Sequence, residues 1–198
     1  MTYAKLNLDA IRQFGSVDDS ISMAPVGTAM PTALLAADAA LPAPWVEVGW
    51  NSEDGYTFSP NDSTDKRKGH QGHEIYKTIM TESNTEFSFV ALETSLTTFS
   101  IQWDIKKSED LAAGGGPGKP ATQLTLSSAR SIKSVALAVR TWSEGYQYMY
   151  LIPRFEIGER SEYKLSATED TAFNVKGTII GNVTLITDDP AVKNGLKL

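Results

Sequence analysis

The residues best suited to chemistry are His70 and His73, the only two histidines of the chain. They lie in GHQGHE, three positions apart, with Glu74 beside the second. Imidazoles and a carboxylate at that spacing can hold a divalent metal when they share one helix face. Gly69 and Gly72 flank them, which favours a loop or strand end. No third ligand or general-base glutamate follows at the spacing a zinc hydrolase needs. The stretch therefore reads as a polar loop. A serine triad would need one of the same two histidines, and Gly-x-Ser-x-Gly is absent. GGGPGKP at 114–120 invites comparison with a phosphate loop. Ala113 stands where that motif needs its first glycine, Pro120 where it needs Ser or Thr, and a β-rich segment follows where a helix is required. Glu53, Asp54, Asp62 and Asp65 crowd one region, but acids in turns are ordinarily solvated caps. NSEDG also lacks the alternating acids of a calcium loop. With no cysteine there are no disulfides, thiolate metal sites or cysteine nucleophiles. No catalytic centre, cofactor or metal is assigned, and the chain is not read as an enzyme.

The chain has 198 residues, enough for one sizeable core and short for two domains. A formal charge of −6 argues against gripping nucleic acid, which takes clustered Lys and Arg to displace counterions. The basic clusters are small: Lys66, Arg67 and Lys68, and Lys106 with Lys107, all with acids nearby. The N-terminus lacks the apolar stretch of a signal peptide. TAMPTALLAADAALPAP is too broken by Pro31, Asp38, Pro42 and Pro44 to span a bilayer. The expectation is a soluble protein made in the cytoplasm, with no membrane partner.

The elements that must position these residues are mostly strands. Residues 1–22 read as an arm with a short helical turn at 8–14, and 23–198 as a single β domain. A first strand is expected at 22–26, then a Pro- and Ala-rich connector to about residue 44 that cannot bury much by itself. Trp45, Val46 and Val48 run as a strand, Asp54-Gly55 is a hairpin signal, and alternation resumes at Tyr56 and Phe58. EIYKTIMTESNTEFSFVAL alternates around a polar break at 82–85, with Phe87, Phe89 and Ala91 on one face. Val135, Leu137 and Val139 share a face opposite Ala136, Ala138, Arg140 and Trp142. Ser143-Glu144-Gly145 makes a turn, after which Tyr146, Tyr148, Tyr150 and Ile152 fall on one side. The last alternating stretch reads as a strand pair or one bent strand, with Gly177 and Gly181 as bulges. One helix is expected, from the stripe Leu92, Leu96, Phe99 and Trp103, with Thr94 or Ser95 as its N-cap. A flexible Gly/Pro-rich loop at 106–120 follows it. The sum is a mainly β sandwich or barrel with one flanking helix and long loops.

Aromatics are the better lead. Trp45, Trp50, Tyr56 and Phe58 flank one turn; Trp142, Tyr146, Tyr148 and Tyr150 flank another. A carbohydrate-binding module would use Trp50, Tyr56 or Trp142 as stacking platforms. Aromatics are also enriched at protein interfaces, where a ring buries one side and keeps a polar handle. That second reading suits the whole set best.

The order of segments resembles the major tail tube proteins of long, non-contractile-tailed bacteriophages, especially those of actinobacterial phages. The resemblance rests on APVGTAMPT (24–32), the Ala-rich connector, and WVEVGWNSEDG (45–55) with its Ser52-Glu53-Asp54-Gly55 ending. It continues through the charged stretch at 62–68, EIYKTIMTESNTEFSFVALET and SLTTFSIQW, covering residues 20–105 well. The chain departs from the family at 66–73, where it carries histidines. The resemblance implies a tail tube fold, a β-sandwich flanked by a helix, in a subunit that forms hexameric rings stacked into a conduit for viral double-stranded DNA. Tape-measure, tail tip and tail terminator proteins are the other implied partners, with the virion as location and the host cytoplasm as place of synthesis. An inner tube subunit of a contractile injection machine shares this architecture. The arm, the turn and charged loop at 51–73 and the loop 106–120 are the implied ring contacts, the arm and loops ordering only on assembly. Trp50, at the edge of the second of these, and within it Glu53, Asp54, Tyr56, Phe58, Lys66, Arg67 and Lys68 are the expected interface residues. An acidic subunit would keep the lumen acidic or neutral, so that stacked rings do not hold the genome by phosphate contacts.

Overall fold

Strand-forming alternation carries through most of the chain. A computed structural model describes residues 10–70, 72–111, 120–129 and 131–193. Among these residues lie β1 (Ser20–Pro25), β2 (Val46–Glu47), β3 (Thr57–Lys68), β4 (Ile75–Ala91), α1 (Leu96–Gln102), β5 (Asp104–Leu111), β6 (Ala121–Ser127), β7 (Lys133–Ser143), β8 (Tyr146–Arg160), β9 (Phe173–Ile179), β10 (Thr184–Thr187) and α2 (Pro190–Lys193). The fold is mainly β and sandwich-like, as expected, with short helices. Residues 1–9 of the arm and the glycine-rich 112–119 lie outside the described residues. The helical turn read at 8–14 is not carried past Ala10.

The main sheet runs β2-β1-β7-β8-β9-β4-β3, with β10 also on β8, and its pairings are antiparallel. β8 is the pivot. Its first half pairs with β10 at 148–151, and its second half pairs with β9 from Phe155 onward. Between the halves the ladder with β7 slips: Leu137 faces Ile152, but Val135 faces Phe155. The extra residue bends the strand. Pro153 sits in that slip, where its missing N–H costs the ladder little. The bend folds the sheet over one core, setting Ile21, Leu137, Val139 and Ile152 with Phe87, Phe89, Phe155, Phe173 and Val175.

Phe87, Phe89 and Ala91 are buried together as their alternation predicts. β7 buries both of its faces. Leu137 and Val139 enter the main core, while Ala136 and Ala138 enter a second cluster with Met149 and Leu151. The connector covers that second face, contrary to the expectation that it buries little. Leu41 and Trp45 are buried on it, with Met30, Leu34 and Leu35 packed alongside. Its prolines stiffen an irregular path over an apolar floor, and the floor was invisible in its own composition. Glu144 (φ 52°) and Gly145 (φ 86°) form the two-residue turn between β7 and β8, both left-handed as such a hairpin requires.

Gly177 is a glycine for lack of space, and no bulge falls on it. Its ladder with β4 is regular, and the slip lies across from it on β8. A Cβ there would stand 2.4 Å from the Glu156 carbonyl oxygen and 2.7 Å from the Phe155 ring.

α1 starts at Ser95, one of the two caps expected. The Thr98 N–H donates to Ser95 Oγ at 3.2 Å and the Ser95 N–H to Thr98 Oγ1 at 2.9 Å, a reciprocal capping box. This cap sets the helix phase, so Thr98, Ile101 and Gln102 point inward. The expected stripe is thereby corrected: Leu92 lies outside the helix and Leu96 is exposed. Thr98 and Gln102 can be buried because each has a partner, Gln102 donating to the Asn174 carbonyl at 3.4 Å.

Candidate assembly surface

The longest pairing among the described residues is β3 with β4. β9 lies along β4 only from Thr85 to Ala91. Beyond that point the two strands continue as a ribbon with no further sheet neighbour among the described residues. Every residue from Asn61 to Lys68 is exposed, as are Ile75, Tyr76 and Met80. The stretch read as a charged loop is thus a strand as far as Lys68, and the polar break at 82–85 is continuous β4. Polar residues take strand geometry here because a partner strand satisfies their backbone, although no core covers them. Lys66, Arg67 and Lys68 stand near the ribbon tip, with His70 and His73 in the turn beyond. Among the described residues no group of three or more His, Asp or Glu side chains converges as a metal site would require.

The ribbon base is built differently from expectation. Asp54-Gly55 forms a turn, with the Gly55 N–H donating to the Ser52 carbonyl at 3.1 Å and Gly55 at φ 71°. It does not close a hairpin, because β2 pairs with β1 and β3 with β4. The segment before it docks on the end of β4. Leu92 N–H donates to the Trp50 carbonyl at 2.8 Å and Ser52 N–H to the Val90 carbonyl at 2.9 Å. The Trp50 N–H donates to Glu93 Oε1 at 3.0 Å. Gly49, at φ 95°, makes room for that carboxylate, which a Cβ would overlap at 2.2 Å.

Trp45 and Val48 are buried, whereas Trp50 is 69% exposed and Glu53 and Asp54 are exposed on the turn. Tyr56 and Phe58 are half-buried against the core: the Phe58 ring lies 4.7 Å from Phe87 and 5.1 Å from Tyr150. Burial, with the charge of Asp19 nearby, pushes the Tyr56 hydroxyl pKa well above its ordinary value. Trp50, Glu53, Tyr56 and Phe58 meet along one groove of about 760 Å³, and Lys66, Arg67 and Lys68 do not join them.

Sequence reasoning missed the groove's floor. Arg140 is 2% exposed, donating to Ser20 Oγ at 3.1 Å, the Ala39 carbonyl at 2.7 Å and Glu47 Oε1 at 3.1 Å. Its only signal in the sequence is a cation inside the apolar run of β7. Trp142, half-buried, lies 5.8 Å from the same guanidinium.

The described part of the arm is docked on the sandwich, where ordering only on assembly was expected. Phe14 packs edge-on against Tyr148 at 5.2 Å, and the Gln13 N–H donates to Ser143 Oγ at 3.1 Å. Residues 106–111, read as loop, form most of β5, which pairs with β6 in a separate two-stranded sheet. This second ribbon leaves the core at the end of α1. Lys133 donates to the Ser100 and Trp103 carbonyls, and Arg160 to the Ile101 carbonyl, so two cations close the helix C-terminus. The Ser131 hydroxyl and the Lys133 ammonium hold the Asp104 carboxyl below its usual range.

Fold and surface together define a mainly β, sandwich-like protein from which two two-stranded ribbons, β3–β4 and β5–β6, extend. The family described as Phage tail tube protein matches residues 6–188, and the chain belongs to that family: it is a structural component of a phage virion. No curated protein matches. A chain in a solved structure titled as the virion of a native gene transfer agent particle is similar, at 11% identity and a TM-score of 0.43. That match covers 85% of this chain and 95% of the other.

Proposed function

We propose that the chain is the tail tube subunit of a long, non-contractile phage tail. It assembles as hexameric rings that stack into a conduit for viral DNA. The observation that carries this reading is the β3–β4 ribbon, which leaves the sheet with both faces exposed. A two-stranded ribbon alone is marginal in water, so it needs a surface to lie on, and further copies of the same chain supply one. The exposed Trp50, Glu53 and Asp54 at its base, and Lys66, Arg67 and Lys68 near its tip, belong to the inter-subunit contacts. Residues 23–198 act as a single β domain in this reading, and the half-buried Tyr56 and Phe58 support the contact from beneath.

The net charge of −6 supports a lumen that lets DNA pass without phosphate contacts. The tape-measure, tail tip and tail terminator proteins complete the tail, which is assembled in the host cytoplasm. Negative-stain microscopy of the purified protein tests the proposal. Six-fold rings or tubes are expected, and a protein that stays monomeric under all ionic conditions overturns it.

A further inference from the structure

The groove at the ribbon base is acidic and incompletely paired. Among the described residues Asp18, Asp19, Asp38, Glu47, Glu53 and Glu93 line it, and the one cation that lines it, Arg140, is held by Ser20, Ala39 and Glu47. Among the described residues no cation lies in ion-pair range of Asp18, Asp38, Glu53 or Glu93. Its volume falls within the range of pockets that enclose a ligand, about 300–1,000 Å³. The Trp50 ring stands exposed at its rim, and a guanidinium or ammonium gains further by lying over an indole face.

The ribbon tip is the complement. Lys66, Arg67 and Lys68 are consecutive and exposed, with Lys77 opposite Arg67 on β4; Arg67 pairs with Asp65 at 3.3 Å, and the three lysines keep the tip basic. A strand rises about 3.3 Å per residue, so Lys68 stands roughly 35 Å along the ribbon from Thr57 at the groove. The β3–β4 ladder runs continuously between the two points apart from two slips, so a tip cannot return to its own groove without unzipping.

Resting on the tail tube reading, we infer that the basic tip of one copy's β3–β4 ribbon seats in the acidic groove at the ribbon base of the next copy. Tip and groove are different patches, so the contact is head-to-tail. Head-to-tail contacts repeat into rings when the rotation closes and into filaments when it does not. The pairing also fixes polarity, because tip against tip and groove against groove both repel.

The test uses two full-length variants, K66E/K68E and D38K/E53K, with tube yield read by negative-stain microscopy and folding by thermal melting. Each folded variant alone should lose at least tenfold in tube yield. An equimolar mixture should recover it, because each reversed surface then meets its complement on the other chain. Wild-type yield from each variant alone, or two folded variants that fail to rescue each other, overturns the inference. If either variant fails to fold, K68C paired with D38C or E53C replaces them. The chain has no native cysteine, so a ladder of disulfide-linked chains in oxidised tubes supports the contact, and tubes without a ladder overturn it. Absence of tubes from the unmodified protein is a different result, and it overturns the tail tube reading itself.

Discussion

The Arg12 guanidinium grips the Asp189 carboxylate through Nε at 2.7 Å and Nη2 at 3.1 Å, although the two residues stand 177 positions apart. The Tyr148 hydroxyl donates to the same carboxylate. Asp189 also accepts the Ala191 N–H at 2.8 Å, capping α2. Arg12 reaches Glu144 at 3.0 Å and lies over the Tyr146 ring at 4.9 Å. One buried carboxylate thus ties the arm, β8 and α2 together, and Arg12 extends the link to the β7–β8 turn.

Breaking that pair strands its partner away from water, which is costly. Arg12→Ala and Asp189→Asn should each lower the melting temperature, on the order of 10 °C for a chain of this size. A melt within a degree of the parent would show that the pair does not secure the arm.

The same pair gives a pH dependence. The Arg12 guanidinium, against a smaller opposing cost of burial, holds the Asp189 carboxyl well below the usual carboxylate range. Its contribution is complete above about pH 4, the ordinary aspartate pKa, and is lost as pH falls through the lower folded value. Urea unfolding from pH 5 to pH 2 should show a fall in stability that Asp189→Asn partly removes.

Gly177 and Gly158 provide a matched comparison. Gly177→Ala puts a methyl into the Glu156 carbonyl and the Phe155 ring, and overpacking of this kind costs about 1–3 kcal/mol. Gly158→Ala meets nothing within 4 Å. Chemical denaturation should separate the two variants clearly.

Ser95→Ala removes the side-chain acceptor of the Thr98 N–H at the start of α1, while the backbone bonds of residue 95 to Thr98 Oγ1 remain. A loss of about 1 kcal/mol is expected in denaturant titration. Ser95→Asp, which retains the acceptor, should recover most of it.

Glu53 and Asp54 are exposed on the turn and make no ion pair among the described residues. Replacing both by Lys should change unfolding free energy by no more than about 0.5 kcal/mol. Tube formation should nonetheless fall sharply in the same preparation. Unchanged tube yield would remove this turn from the contact surface.

What depends on neighbours a few residues away was legible in the sequence. Alternation placed Phe87, Phe89 and Ala91 on the buried face, a small polar residue marked the Ser95 cap, and Glu144-Gly145 marked a turn. The segment order from Ala24 to Trp103 carried the family resemblance. What depends on distant partners emerged only in the folded chain. Arg12 and Asp189 have a local context that suits a solvated surface and Arg140 is a cation in an apolar run, yet each charge is drawn out of solvent because a residue far along the chain satisfies it. The connector earned its burial from the floor of β7 and β8. The polar stretch at 61–68 became a strand because β4 supplied its hydrogen bonds. Periodicity records which face a side chain takes, but a buried ion pair or a groove exists only once separate segments meet.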